Sequence, residues 1–480
     1  MTSDERCYVR AVDLIDALKR RELSAVEAVS AALDRIERLN GTCNAFLTVC
    51  RDEALTAAKQ ADAAAQAGDD LGPLHGLPVS VKDLLYTAGV RTSGGSLLYE
   101  QFVPDRDAPV VARLKAAGAI VLGKTNTPEF GVIPTTENRL GPPCRNPWDS
   151  ERTTGGSSGG AGAAAALGLG SLHLGTDGGG SIRIPASFCG VFGLKPTTGR
   201  VPPYTKDWGG FGAWPTLSQA GPMTRFVEDA ALMLDVIAGP EPGDPFALPP
   251  PTASFQPRPK DRLRLKVAWS PDLGFATVDP EVRAITEDAA RAFQELGCEV
   301  EEAAPEIDDA SLTAAFLPIA ASGDAAAHGH LLEEGADRLC EYSRLFLEAG
   351  RKVRGEEYVK AEQQRIRIWR VFDQFLSRYD LLLTPVLAVP AFPIGEAPTA
   401  IDGREVRPFG WTPFTMICNL TGQPAASVPA GWTAGGLPVG LHVIARAFRE
   451  RLILEAALAF QQARPWQHRL PPARAGAETR

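Results

Sequence analysis

Ser181 stands in GTDGGGSIRIP (175–185), directly behind three consecutive glycines. Glycine loses more backbone freedom on ordering than any other residue, so the run destabilises the fold unless its conformational range is used. Acyl transfer offers a use. A serine nucleophile needs N–H donors within about 3 Å of the oxyanion that forms, and consecutive glycines can turn several N–H groups to one side. SIRIPASFCG then reads as a short helix beginning at or just after Ser181, with Pro185 in its first turn and Gly190 ending it. A plain tight turn before a helix fits the spacing equally well. The hydroxyl also needs a base. Lys82 closes the apolar run LPVSV, where a strand would carry it into a core, and burial lowers a lysine's pKa toward a free amine. Asp83 next to it leaves a structural ion pair as the alternative.

Other chemistries fit less well. The glycines at 178–180 are not followed by Lys-Ser/Thr, so they are no P-loop, and no GxGxxG opens a helix after a strand. GGSSGG (155–160) satisfies GxSxG on Ser157 and on Ser158, as a nucleophile elbow would. The six histidines, at 75, 173, 328, 330, 442 and 468, include none marked as the base of a triad. The eight cysteines form no CxxC pair and no Cys/His cluster with metal-ligand spacing, so they read as reduced, buried thiols of a cytoplasmic protein.

The elements that must position these residues alternate between helix and strand. In ELSAVEAVSAALDRIERLNG, Ser24 and Glu27 form a capping box, Val26, Val29, Leu33 and Ile36 a stripe, and Asn40-Gly41 the stop. Residues 108–117 read as a helix and 119–123 as a buried strand. RLKVAWSPD reads as a strand, DPEVRAITEDAARAFQELG as a helix capped by Asp279, and CEVEEAA as a further strand. AGAAAALGLGSLHLG (161–175) reads as a tightly packed internal helix. This alternation implies an α/β fold with a largely buried sheet. A Pro-rich stretch, 239–262, divides the chain, as a linker or as an excursion within one domain. The 480 residues are 44% hydrophobic and 22% charged, and the net charge of -9 without a basic run argues against nucleic-acid or anionic-membrane partners. MTSDERCYVR has neither the basic region nor the apolar core of a signal peptide, and no run of about 20 strongly apolar residues spans a membrane.

HGLPVSVKD, TTGGSSGGAGAA and GTDGGGSIRIPASFCGVFGLKPT, in this order and spacing, resemble the amidase signature family of Ser-cisSer-Lys amidohydrolases. TTENRLGPPCRNPWD, GPMTRFVEDAALMLDVIAGPEPGDP, YDLLLTPVLAVPAFPIGE and NLTGQPAASVPAGWTAGGLPVGLHVIA extend the resemblance over most of the chain. It implies that Ser181 is the nucleophile, Lys82 the base and Ser157 the serine that relays the proton, with a cis Gly156-Ser157 peptide. It assigns the oxyanion hole to the N–H groups of Gly178, Gly179, Gly180 and Ser181, and a supporting polar network to Ser158, Asp177 and Arg183. The implied fold is a single large α/β/α domain around a twisted mixed sheet, residues 66–470. An N-terminal helical segment (1–65) precedes it and a flexible tail (471–480) follows; the Pro-rich stretch becomes an excursion. No metal or cofactor is implied. The implied partner is a small-molecule amide, and the reading is compatible with a homodimer.

Within the family, the rival role is the glutamine-hydrolysing component of an aminoacyl-tRNA amidotransferase. Arg365 falls where that component carries an arginine for the glutamine carboxylate. Thr412 stands where it carries an aspartate for the amino group, and losing that carboxylate favours a stand-alone amidase. A catalytically silent scaffold is a rival of another class, opposed by the intact Lys82, Ser157 and Ser181. For the substrate pocket, VPPYTKDWGGFGAWP offers Tyr204, Trp208, Phe211 and Trp214, as pocket walls or as packing beneath a loop. GVIPTTEN (131–138) is a second candidate wall. Amides, anilides, carbamates and esters all remain open.

Overall fold

A computed structural model describes residues 3–260 and 262–472. Its centre is an eleven-stranded mixed sheet. In chain order the strands are β1 (Phe46–Val49), β2 (Pro78–Lys82), β3 (Ile120–Thr125), β4 (Leu172–Asp177), β5 (Phe192–Lys195) and β6 (Gln219–Thr224). They continue with β7 (Lys266–Trp269), β8 (Glu299–Glu302), β9 (Leu381–Pro385), β10 (Ala425–Trp432) and β11 (Pro438–Ile444). Across the sheet they run β1-β3-β2-β4-β6-β5-β10-β11-β9-β7-β8. The pairs β3/β2, β2/β4, β9/β7 and β7/β8 are parallel and the others antiparallel.

Alternation along each strand divides the core in two. Leu381, Leu383, Leu441 and Val443 enter one apolar cluster, whereas Leu382 and Ile444 enter the other on the opposite face. Helices therefore cover both faces, as a buried mixed sheet requires.

The helix Ala25–Cys43 carries the expected capping box but ends later than Asn40-Gly41, because Asn44 takes the left-handed cap. A strand, β1, also falls inside the N-terminal segment expected to be helical. The run 161–175 is not one helix. Helix Gly159–Leu167 stops at Gly168 in the left-handed conformation, Gly170 turns the chain at φ 135°, and Leu172 onward enters the sheet as β4. Helix Pro280–Glu295 has Asp279 accepting N–H bonds from Glu281 and Val282, as its cap spacing predicts. The Pro-rich stretch, described except for residue 261, has neither helix nor strand, and it anchors Phe255 beneath Arg200. Of the tail, residues 473–480 lie outside the described residues. No helix among the described residues is long and apolar enough to cross a membrane.

Two features aim the chemistry. Parallel β2 and β4 are in register with Val81 opposite Leu174, so Lys82 ends beside the last residues of β4, from which the glycine loop departs. Helix Gly159–Leu167, which begins right after Ser158, lies directly on the backbone of residues 45 and 126. A Cβ on Gly160 would fall 2.3 Å from Asn126 N and 2.4 Å from Ala45 O. Gly160→Ala would ordinarily gain about 1 kcal/mol of helix propensity. Overpacking against backbone that cannot yield costs about 1–3 kcal/mol and outweighs that gain. The variant is expected to unfold at lower urea concentration than wild type; an equal or higher midpoint would contradict this account of the close approach.

Candidate active site

Lys82 is the last residue of β2 and is wholly buried. Its Nζ lies 2.7 Å from Ser157 Oγ, 2.9 Å from Ser158 Oγ and 3.0 Å from Thr176 Oγ1. It makes no ion pair among the described residues. Asp83 points elsewhere, accepting from Ser93 N–H at 2.9 Å and from the Ser93 hydroxyl, and the cation that most favours its charged form is Lys124. The ion-pair alternative for Lys82 thus finds no support in the geometry. Burial drives the Lys82 amine well below the ordinary lysine range, and the Asp177 carboxylate only partly opposes this.

The hydroxyls around the amine sort its protons. Ser158 Oγ donates to Thr176 O at 3.0 Å and accepts from Thr176 N–H at 3.1 Å, so toward Lys82 it can only accept. A neutral amine has two N–H donors and one lone pair. With Ser158 and Thr176 taking the donors, the lone pair faces the Ser157 hydroxyl. The Gly156-Ser157 peptide is cis. The Ser158 N–H donates to Ser181 O at 3.0 Å, which ties the two serine segments together.

Ser181 is half-buried and precedes the helix Arg183–Cys189, which ends at Gly190 with φ 67°. The loop before it hangs on Asp177. One carboxylate oxygen accepts from Gly180 N–H at 2.8 Å and the other from Ile182 N–H at 3.1 Å. Arg183 adds two bonds to the same carboxylate, 2.9 Å from Nε and 2.8 Å from an Nη. Asn419 Nδ2 contacts it at 2.9 Å and also accompanies Asp177 O and Leu217 O at 3.0 Å. Burial alone would raise the Asp177 pKa, but Arg183 and Asn419 reverse it and hold the group well below the usual carboxylate range.

This network refines the expected oxyanion loop. The Gly180 N–H is engaged by Asp177, whereas those of Gly178, Gly179 and Ser181 have no acceptor among the described residues. Gly180, at φ 128°, is needed for the turn; a Cβ there would meet Thr415 Oγ1 at 2.6 Å. Thr415 in turn donates to Gly179 O at 2.6 Å.

Among the described residues, none of the histidines contacts Ser157 or Ser181. His173 bonds Ser80, His328 bonds Phe211 O and stacks on Phe130, and His442 faces Arg183. The GxSxG match in GGSSGG therefore has no imidazole to complete it. No group of acidic, histidine and cysteine side chains among the described residues has metal-binding geometry.

Ser181 opens on two cavities. The larger, about 380 Å³, is walled by Val132, Ile133 and Pro134, by Ile184 and Trp214, and by Phe316, Phe346 and Met416. The smaller, about 20 Å³, is lined by Ser157, Thr176, Gly178, Tyr204, Ser218 and Asp324 together with Ser181 and Trp214. Of the four aromatic candidates, Trp214 lines both cavities and Tyr204 the smaller. Phe211 packs among Tyr86, Tyr99 and Phe130, and Trp208 lines neither cavity. Segment 131–134 of GVIPTTEN is a wall, as expected. Phe316, Phe346 and Asp324 come from the helices Asp309–His328, which carries Pro318 in its interior, and Glu341–Lys352; neither sequence holds a motif that marks a site.

The match to a family model described as Amidase runs over residues 27–454. The chain belongs to the amidase signature family. This amidase is an amidohydrolase acting on C–N amide bonds. It is 38% identical to the acylamidase of Rhodococcus erythropolis over 98% of each chain. It is 40% identical to a glutamyl-tRNA(Gln) amidotransferase component of Moorella thermoacetica over 97% of this chain and 99% of the relative. It superposes on a bacterial aryl acylamidase of the same family with a TM-score of 0.91, at 28% identity, covering 98% and 99% of the two chains.

Removing the Asp177 charge tests the loop's support. Asp177→Asn leaves a wholly buried guanidinium without a counter-charge, and breaking such a pair costs about 3–5 kcal/mol. The carboxylate's pKa is depressed in the folded state, so its contribution is fully present above the ordinary Asp value of about 3.9 and drains as pH falls below it. Urea unfolding at neutral pH is expected to show the full loss, shrinking on acidification. A variant as stable as wild type at pH 7 would contradict it.

Proposed function

We propose that this amidase hydrolyses small carboxylic amides bearing an apolar group, through an acyl-enzyme on Ser181. The carrying observation is a buried lysine with no ionic partner among the described residues, bonded at 2.7 Å to a serine that shares a cavity with the candidate nucleophile. Lys82, as a neutral amine, takes the Ser157 proton while Ser157 takes that of Ser181. The Ser181 oxygen then bonds to the amide carbon. The oxyanion is held by the free N–H groups of the 178–181 loop. On collapse the C–N bond breaks, and the leaving nitrogen receives the proton from Lys82 through Ser157. Water adds to the acyl-enzyme by the same relay, returning the acid and a free Ser181.

The similarity to the amidotransferase component favours one second reading, glutamine hydrolysis for a partner enzyme. The side chains weigh against it. Arg365 is spent on Leu420 O at 2.6 Å and on Thr216 at 2.9 and 3.0 Å, and it lines neither cavity. Thr412 lines the large cavity, but its hydroxyl bonds Phe409 O. Arg407, the one charged residue lining that cavity among the described residues, is paired with Asp309. A zwitterionic amino acid would find no unpaired charge there.

Two outcomes are expected. Lys82→Ala lowers kcat/KM for a neutral amide by about 10³-fold, as loss of a general base does. In wild type the rate falls on the acid side as Lys82 takes up a proton, with a midpoint well below the ordinary lysine value of about 10.4. Near-normal hydrolysis by Lys82→Ala would sink the mechanism. Free glutamine is expected to be about a hundredfold poorer than phenylacetamide by kcat/KM; comparable rates in a coupled ammonia assay would favour the amidotransferase role instead.

A further inference from the structure

The small cavity beside Ser181 contains a buried carboxyl that the mechanism above does not use. Asp324, from the helix Asp309–His328, is 1% exposed, and its Oδ2 has no hydrogen-bond partner among the described residues. A buried polar atom left unpaired is costly, so it points to an occupant able to hydrogen-bond with it. The other polar atoms of this cavity include the hydroxyls of Ser157, Thr176, Tyr204 and Ser218. Beside the backbone of Gly178 and Ser181, whose N–H groups the oxyanion takes, the side chains of this set offer oxygen acceptors to a further group.

Size and position narrow the occupant. A volume of about 20 Å³ holds one water-sized group and no more. Its walls are fixed. The Trp214 indole N–H donates to Ala320 O at 2.9 Å, Tyr204 is bonded to Ser218, and a Cβ on Gly323 would fall 2.7 Å from Ala213 O. Ser157, the group that returns a proton to the leaving nitrogen, lines this cavity and not the large one. Ser181 lines both. The leaving nitrogen must therefore sit on the small side and the acyl group on the large, apolar side.

We infer that the Asp324 cavity is the leaving-group subsite and that it admits an unsubstituted NH₂, making this enzyme selective for primary amides with a sizeable apolar acyl group. Asp324 acts there as a specificity residue, accepting one of the two amide N–H bonds. Burial pushes the Asp324 carboxyl up to about 8 against a smaller opposing effect of the Trp214 indole, so at neutral pH it is an uncharged acid that accepts through its carbonyl oxygen and needs no counter-ion. Anilides and N-alkyl amides have no room for their substituent on this side.

This inference rests on the amidase reading, and the experiment separates the two. Phenylacetamide, N-methylphenylacetamide and phenylacetanilide present one acyl group with three leaving nitrogens. The primary amide is expected to lead the other two by about tenfold or more in kcat/KM, the scale on which a pocket rejects an extra methyl group. Asp324→Ala, which opens the cavity, is expected to bring the primary-to-N-methyl ratio to about threefold or less, while Asp324→Asn, equal in size and still an acceptor, retains the preference. A fluorophosphonate label on Ser181 verifies that each variant is assembled, and if the alanine variant fails it the wild-type panel decides alone. Equal or faster turnover of the anilide or the N-methyl amide overturns the subsite and leaves amide hydrolysis standing. An Asp324→Ala ratio unchanged from wild type overturns the role of Asp324. No turnover of any of the three by labelled wild-type enzyme overturns both readings.

Discussion

The removal of the Lys82 amine from water is the constraint on which the site depends. A buried ammonium without a counter-charge is strongly unfavourable, so the group is held neutral, and neutrality is what a base requires. The structure achieves this by arrangement more than by burial alone. Asp83, the nearest carboxylate in sequence, is turned onto Ser93, and Asp177 is saturated by Arg183, Asn419 and two loop amides. Had either carboxylate paired with Lys82, the amine would be an ordinary structural cation.

The same logic explains why so much of the neighbourhood is hydroxyl. Serine and threonine can accept or donate, so Ser157, Ser158 and Thr176 satisfy a neutral amine without charging it. Asp177 is the complementary centre. It is ionised and fully buried, and it sets the glycine loop by accepting the Gly180 and Ile182 N–H groups. That leaves the N–H groups of Gly178, Gly179 and Ser181 without an acceptor among the described residues, so this ion pair shapes the donors that the proposed mechanism assigns to the oxyanion.

Chain order and register bring these centres together. Lys82 and Asp177 end neighbouring parallel strands, and crevices at the carboxyl ends of such strands are where α/β sheets place ligands. Close approach then matters more than side-chain variety. Gly160 permits helix Gly159–Leu167 to rest on backbone, and the serines at its start reach Lys82 as a result.

Local signals along the chain determined a good deal. Ser24 with Glu27, Asp279 with Pro280, and Gly190 after SIRIPASFC each specify a helix end through short-range hydrogen bonds or backbone freedom, which a sequence displays directly. The run 161–175 misled because Gly/Ala-rich packing looks alike in a helix and in a central strand until Gly168 and Gly170 turn the chain. The segments HGLPVSVKD, GGSSGG and GTDGGGSIRIP likewise displayed the candidates Lys82, Ser157 and Ser181. Tertiary structure alone decided which way Asp83 points, which loop amide Asp177 consumes, and that Arg365 is occupied by backbone. It alone also brought Phe316, Asp324 and Phe346 to Ser181 from helices more than a hundred residues downstream. Those residues sit on helices without a site motif, and what a helix face is buried against is a property of the folded chain.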